Sequence, residues 1–197
     1  GPGPTLRDPN GHPIDVAFDN TKNTVYVLTY PTNGVEVYLN GAKSPTRTLS
    51  NTAIDGSQGV AVDGHGNVFQ SGSSTGNIVE YFGGHSKGSK VLGVTGLSVP
   101  YGLAFDLQNN LIVFDINSGI VIYAPPYNGA PTQTIPFHGV GIYGKLDFLN
   151  QNLYVGDYQF GSVDVYAYPS GTYKYSITNG VIAGSTLGIA VDPPSPD

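Results

Sequence analysis

IDVAFD (14–19), QGVAVD (58–63), YGLAFD (101–106) and LGIAVD (187–192) are four versions of one short strand, and a degraded fifth, YGKLDF, stands at 143–148. With Asp15, Gly59, Gly102, Gly144 and Gly188 as landmarks, the spacings are 44, 43, 42 and 44 residues. A period of about 40–45 residues with four short strands per unit is that of a β-propeller blade. The repeat therefore predicts an all-β chain, a β-propeller of four-stranded antiparallel blades. Such a scaffold hosts unrelated functions, so the period fixes architecture and leaves the activity open.

The rest of each repeat fits that unit. In the third, the inner strand a (101–106) is followed by NLIVFD (110–115) as b, GIVIYA (119–124) as c and PTQTIP (131–136) as d. Leu107-Gln108-Asn109 is a tight polar turn between apolar runs, and Pro125 to Ala130 must loop because it carries Pro-Pro and Asn-Gly. The first repeat reads TVYVLT (24–29), VEVYL (35–39) and PTRTL (45–49); the second reads NVFQS (67–71), NIVEYF (77–82) and SKVLG (89–93). The fourth reads NLYVGD (152–157), SVDVYA (162–167) and TYKYSI (172–177). Strand c alternates, as in Val35/Val37/Leu39 and Val163/Val165/Ala167, whereas strand a is apolar nearly throughout, as a strand covered on both faces should be. One domain over 1–197 is expected, with full blades over about 11–50, 56–94, 99–137 and 141–178.

Both ends add a strand. Residues 4–7 resemble the start of PTRTL and PTQTI and read as a lone outer strand d, while 187–192 is a lone inner strand a. The expected count is four full blades plus a split or incomplete fifth that lacks b and c. Such a ring could close with a minimal fifth blade, belong to a larger ring, or be completed by a second chain as a homo-oligomer. Unpaired strand edges are an aggregation hazard that native proteins cover.

Composition narrows the partners. The 197 residues carry only 8 Lys and Arg and a net charge of −6, so the clustered cations needed for nucleic acid or an anionic membrane surface are missing. No apolar run approaches the ~18 residues of a transmembrane helix. Gly and Pro are abundant (28 and 15), but they fall at repeat-spaced turns, which favours an all-β fold over disorder. Cys, Met and Trp are absent, which removes thiol chemistry, disulfides and the usual structural zinc sites. Gly1-Pro2 without an initiator Met reads as a protease-site remnant. High Thr, Ser, Asn, Gly and Tyr with few charges suits an exported bacterial protein, so an extracellular or periplasmic location is expected. No Asn-x-Ser/Thr sequon is present.

The a–b units GLAFDLQNNLIVFD and GKLDFLNQNLYVGD resemble NHL-type and related six- or seven-bladed bacterial propellers. The c–d stretches VYAPPYNGAPTQTI and VEVYLNGAKSPTRTL are similar to units of uncharacterised secreted bacterial repeat proteins. Streptogramin B lyases and gluconolactonases share the blade pattern at a distance, yet no segment here reproduces their catalytic His/Glu or metal-ligand motifs. The resemblance implies a binding or scaffold propeller, with enzymes as minority cousins.

Propeller sites lie where the d–a and b–c loops meet around the channel. Ile14, Gln58, Tyr101, Tyr143 and Leu187 precede the landmarks at that mouth. Gln58, Tyr101 and Tyr143 could hold a sugar or peptide by stacking and hydrogen bonding, or could simply plug the channel. His12 and His138 precede strand a and could approach the same mouth; a general base there would need a partner that no motif supplies. Asp115 and Asp157 end strand b in the third and fourth repeats, where the first two have Thr29 and Gly72. Two such carboxylates could bind Ca²⁺, the one cofactor with any support, or cap N–H groups of the b–c turn. Asp19, Asp63, Asp106 and Asp192 recur in phase and read as turn residues. GGHSKGSK (83–90) lacks phosphate-loop spacing and reads as a c–d loop. Tyr38, Tyr81, Tyr123 and Tyr166 read as packing residues of strand c, and Tyr168, Tyr173 and Tyr175 as an outer-edge patch.

Three functions remain open. The first is a non-catalytic binding or scaffold module presenting a loop-lined face to a carbohydrate, peptide or protein. The second is a lactonase- or lyase-type enzyme at the channel mouth. The third is a fragment or assembly unit without activity of its own. The balance leans away from an enzyme.

Overall fold

The computed structural model describes residues 5–184 and 188–191. The first sheet runs β1 (His12–Asp19), β2 (Thr24–Tyr30), β3 (Gly34–Leu39), β4 (Arg47–Leu49), and the second β5 (Ser57–Val62), β6 (Val68–Gly72), β7 (Asn77–Tyr81), β8 (Lys90–Val91). After β9 (Gly93–Val94), the third sheet holds β10 (Pro100–Phe105), β11 (Leu111–Asp115) and β12 (Gly119–Tyr123); β13 (Asn128–Gly129) precedes its outer strand β14 (Gln133–Ile135). The fourth is β15 (Gly141–Leu146), β16 (Asn152–Asp157), β17 (Ser162–Ala167), β18 (Tyr173–Ile177). Each is an antiparallel meander in chain order, the four blades that the repeat predicts. Residues 93–94 and 128–129 add a small parallel pair between the second and third blades that no repeat signal foretells. Among the described residues no helix is long and apolar enough to cross a membrane.

Three apolar clusters seal the three blade seams. Leu28, Val35, Val37 and Leu49 of the first blade meet Val60, Val68, Val79 and Tyr81 of the second. Phe69, Ile78 and Leu92 meet Leu103, Leu111, Val121 and Tyr123, and Ile112, Ile120, Ile122 and Ile135 meet Leu153, Val155 and Tyr166. Both faces of each central strand are therefore buried, which is why β6, β11 and β12 are buried along their whole length.

One buried tyrosine recurs in every strand c. Tyr38, Tyr81, Tyr123 and Tyr166 occupy the same register position, opposite Val25, Val68, Leu111 and Leu153. A buried phenol needs a partner, and three of the four find one on the linker entering their own blade. The Tyr38 hydroxyl donates to the Arg7 carbonyl (2.6 Å) and that of Tyr123 to the Thr95 carbonyl (2.7 Å), while Tyr166 accepts the His138 N–H (2.8 Å). In the second blade Tyr81 turns instead to Gln70 Oε1 (2.6 Å).

The a–b turns are built on aspartate. Asp63 Oδ1 accepts from the N–H groups of His65 (2.9 Å) and Asn67 (2.8 Å), and Asp106 Oδ1 from those of Gln108 (2.9 Å) and Asn110 (2.7 Å). The closing amides of Asn67 and Asn110 donate to the other oxygen at 3.0 and 2.7 Å. Asp19 uses one oxygen, Oδ1 accepting from the N–H groups of Thr21 and Lys22 and from the Thr21 hydroxyl, while Lys22 Nζ lies 3.5 Å from Oδ2. In the fourth blade the role falls to Asp147, which accepts from the Gln151 N–H and from Asn152 Nδ2, both at 2.7 Å. Adjacent turns are also tied, since Asn109 Oδ1 accepts the Gly64 N–H (2.8 Å) and Asn150 Oδ1 the Leu107 N–H (3.1 Å).

The termini differ from expectation. Thr5–Arg7 forms no strand; the Arg7 N–H donates to the Lys43 carbonyl (2.7 Å), which lays the segment along the c–d loop of the first blade. Gly188–Val191 joins no ladder and lies between the fourth and first blades; Leu187 and Asp192 fall outside the described residues. Tyr168 leaves the expected edge patch, because its hydroxyl is buried against Asp106 Oδ2 (2.7 Å).

Burial opposes the charge of Asp147, but the Gln151 and Asn152 bonds and the Lys174 ammonium outweigh it and lower its pKa. A depressed folded-state pKa stabilises above the ordinary aspartate range, and that contribution is lost as pH falls through the folded value. Urea unfolding across an acid series is therefore expected to show a shallower loss of stability below about pH 4 for Asp147→Asn than for the parent chain.

Candidate functional site

Every inner strand carries a β-bulge near its start, between Pro13 and Asp15, Ser57 and Val60, Pro100 and Leu103, and Gly141 and Tyr143. A bulge re-aims the side chain at its extra residue. Pairing with strand b also corrects the fourth landmark. Leu103 faces Val113 and Gly144 faces Val155, so the residue equivalent to Gly102 is Tyr143, not Gly144. The linker into the fourth blade, from Ile135 to Tyr143, is two residues shorter than its counterpart from Leu49 to Gly59.

At the other landmarks the inner strands approach closely. A Cβ on Gly59 would stand 2.2 Å from the Tyr101 carbonyl oxygen, and one on Gly102 2.8 Å from that of Ile142. Tyr143 places a phenol at this crowded level. Its hydroxyl donates to the Gln58 carbonyl (2.8 Å), and its ring meets Tyr101 edge to face at 6.4 Å. Gln58, Tyr101 and Tyr143 are thus brought together, each half-buried, with Tyr143 spanning from the fourth blade to the second. Burial pushes the Tyr143 hydroxyl well above its ordinary pKa, aided by the nearby Asp15 carboxylate, so it remains a neutral donor.

Asp15, the acid at the first landmark, accepts the Val60 N–H through Oδ2 (2.8 Å). Burial raises its pKa, against the pull of that bond and of Lys145. Asp15, Lys145 and Tyr143 border a cleft of ≈ 730 Å³ between β1 and β15, completed by Ile14, Val16, Leu146 and the Gly188–Val191 segment.

The remaining candidates lie elsewhere. His12 is exposed in β1, opposite Tyr30. Asp115 caps its turn: Oδ2 accepts from Ser98 and Val99 N–H (2.7 and 2.8 Å), and Oδ1 from Asn117 and Ser118 N–H (3.1 and 2.9 Å). Asp157 does this with one oxygen. Its Oδ1 takes N–H groups from Val140 (3.2 Å), Gln159 (2.8 Å) and Phe160 (3.1 Å), while the buried Oδ2 has no hydrogen-bond partner.

Asp157 instead joins His138 and Asp164, with one ligand atom of each within 4.8 Å of the others. His138 Nδ1 is 3.6 Å from Asp164 Oδ2, and its ring stacks on Tyr173 at 4.5 Å. Asp164 Oδ1 accepts from Ser162 Oγ (3.1 Å) and Ser176 Oγ (2.5 Å). Asp164 is hidden in the sequence because it lies between the alternating valines of strand c, Val163 and Val165. The available signal was comparison between repeats: the equivalent positions hold Glu36, Val79 and Val121, so an acid stands where two blades have valine.

Replacing Tyr143 tests its bridging role. Tyr143→Phe is expected to cost about 1 kcal/mol, one neutral hydrogen bond. Tyr143→Ala, which also removes the ring packed against Tyr101, is expected to cost more than Tyr143→Phe in urea unfolding.

No family model matches the chain, and no curated protein matches it in sequence. Solved structures do match in shape. A chain of a nidogen/laminin complex superposes with a TM-score of 0.75 at 20% identity, over 87% of this chain and 65% of that one. The hydrazine synthase of Kuenenia stuttgartiensis gives 0.69 at 11% identity, over 90% of this chain and 51% of that one. A protein of unknown function from Bacteroides caccae gives 0.62 at 14% identity, over 87% and 62%. The chain thus spans less than two thirds of each. At these identities the likeness concerns the fold alone, and in fold the chain is a β-propeller repeat protein.

Proposed function

We propose that the chain is a non-catalytic binding and scaffold propeller whose partner is polypeptide, received in the open sector between the first and fourth blades as strands with an apolar face. The reading is carried by exposure at equivalent positions. Val60 and Leu103 are 0% and 2% exposed at sealed seams, yet Val16, their counterpart in β1, is 56% exposed. Across the sector Ile177 is 41% exposed, where its counterparts Leu49 and Ile135 are 1% and 3%. Phe18 and Tyr175 extend the two exposed faces. Fully burying such a side chain is worth about 1.5–3 kcal/mol, so a sheet that covers both faces has ample driving force.

Among the described residues Gly188–Val191 occupies part of the sector, over Tyr154, Val163 and Ile177. Its sequence is that of an inner strand, which supports strands of the same kind as natural occupants, a second copy of this chain being one source. A sugar at the channel mouth has less support, because the mouth tyrosines engage each other and Gln58. A lactonase- or lyase-type reading has less again, since His12 and Asp115 stand apart from the His138 group. The lack of cysteine and the low charge support an exported setting.

A peptide of residues 101–115, which carries strands a and b of the third blade, is the probe. Titrated into isotope-labelled protein, it is expected to shift amide signals of Ile14–Phe18 and Gly188–Val191 saturably, and Val16→Lys is expected to weaken binding at least about tenfold. A chain that stays monomeric by light scattering at all concentrations and shows no such shifts would sink the reading, as would undiminished binding by the variant.

A further inference from the structure

We infer that His138, Asp157 and Asp164 form a binding site for one divalent transition-metal ion, Zn²⁺ in the first instance, under the linker that enters the fourth blade. The argument rests on what the other blades do with the same positions. In the third blade Asp115 spends both carboxylate oxygens on four backbone N–H groups and needs nothing more. In the fourth, Gly139 and Val140 replace Ser98 and Val99, and only Val140 donates, to Oδ1. Asp157 Oδ2 is left buried without a donor, in a side chain that is 1% exposed.

The first blade supplies the second comparison. There Asn10 stands in the place of His138, Glu36 in that of Asp164 and Thr48 in that of Ser176. Asn10 Nδ2 donates to Glu36 Oε1 (2.6 Å), Thr48 Oγ1 donates to the same carboxylate (3.2 Å), and the position of Asp157 is the neutral Thr29. One acid is matched by two donors. The fourth blade keeps this plan but adds a second buried acid and exchanges the amide for an imidazole. Two buried carboxylates a few ångströms apart carry more negative charge than one half-exposed imidazole answers, and buried charges are retained when paired or bound to metal.

The donor set and spacing fit an ion. One imidazole nitrogen and two carboxylate oxygens suit Zn²⁺, Mn²⁺ or Co²⁺, whereas Ca²⁺ takes about six to eight oxygen ligands. Atoms each about 2.0–2.2 Å from one ion stand roughly 3–4 Å apart. His138 Nδ1 and Asp164 Oδ2, at 3.6 Å, already meet this, and the group as a whole, within 4.8 Å, needs only a small contraction. The partners of these side chains set their orientation, as the shell around a metal site does. Tyr173 stacks on the imidazole, Ser162 and Ser176 hold Asp164 Oδ1, and three N–H groups hold Asp157 Oδ1. The exposed side of His138 leaves an entry path and room for water as a fourth ligand.

Titration calorimetry of chelator-treated protein with ZnCl₂ tests the site. One saturable ion per chain is expected. His138→Asn, which restores the first-blade arrangement at an exposed residue, should weaken binding at least about tenfold, and Asp157→Asn should abolish it. Asp115→Asn, the same change at the satisfied position, should leave it intact. Circular dichroism confirms that each variant folds, and should Asp157→Asn fail, His138→Asn still decides. Absence of saturable Zn²⁺ binding, binding undiminished in His138→Asn, or binding of Ca²⁺ but not Zn²⁺ would each overturn the assignment.

Discussion

A buried phenol at one register position of every strand c holds the architecture together. Four consecutive sheets do not become blades unless each linker enters its sheet at a fixed point. Tyr38, Tyr123 and Tyr166 provide that point, because a hydroxyl out of reach of water accepts few alternatives. The tyrosine rings also stand in the seams, with Tyr81, Tyr123 and Tyr166 packed against the preceding blade. In the third and fourth blades one residue, Tyr123 or Tyr166, thus sets both how the chain enters the blade and how that blade meets its neighbour. The apolar seams join each blade to its neighbours in order, as in other repeat proteins, and the Tyr143 hydroxyl adds one bond that skips from the fourth blade to the second.

Blade number, strand order and turn chemistry were legible because they depend on what repeats. Strand a announces itself by x-Gly-φ-Ala-φ-Asp, where φ is apolar, and the aspartate by its phase. The fourth blade was legible in outline but not in register. Its inner strand ends on Asp147, one residue earlier than the period suggests, and its glycine position holds Tyr143. Hydropathy does not register a one-residue shift when the segment is apolar on both faces. Thr5–Arg7 and Gly188–Val191 carry strand-like sequence yet join no ladder, because a strand needs an edge to pair with, and that lies outside what a local pattern encodes.

The site was less legible than the fold, for a related reason. His138, Asp157 and Asp164 come from a linker, the end of strand b and the middle of strand c. Pairing alone brings them together, so no spacing motif links them. His138 and Asp157 stand out separately, one before strand a and one at the end of strand b, whereas Asp164 is hidden by the valines on either side. Register comparison between blades is what exposes it, since each blade acts as an internal control for the others. Where four copies agree, the residue belongs to the scaffold; where one departs with a charge in a buried position, the departure calls for a physical answer.

The aspartate turns have a consequence for how such a molecule can change. Along one rim, every turn is braced by its own carboxylate, and two are braced again by an asparagine from the following turn. That rim behaves as a belt, and altering one link disturbs the next. The opposite rim is held less evenly: Asn33 crosses the first seam, its Oδ1 accepting the Ser57 N–H (3.1 Å) and its carbonyl accepting from Gln70 Nε2 (2.9 Å), whereas His138 and Val140 donate their N–H groups within the fourth blade. Substitutions at the fourth-blade linker therefore remain local, so that corner of the molecule is free to acquire new chemistry while the turn rim keeps the spacing of the blades.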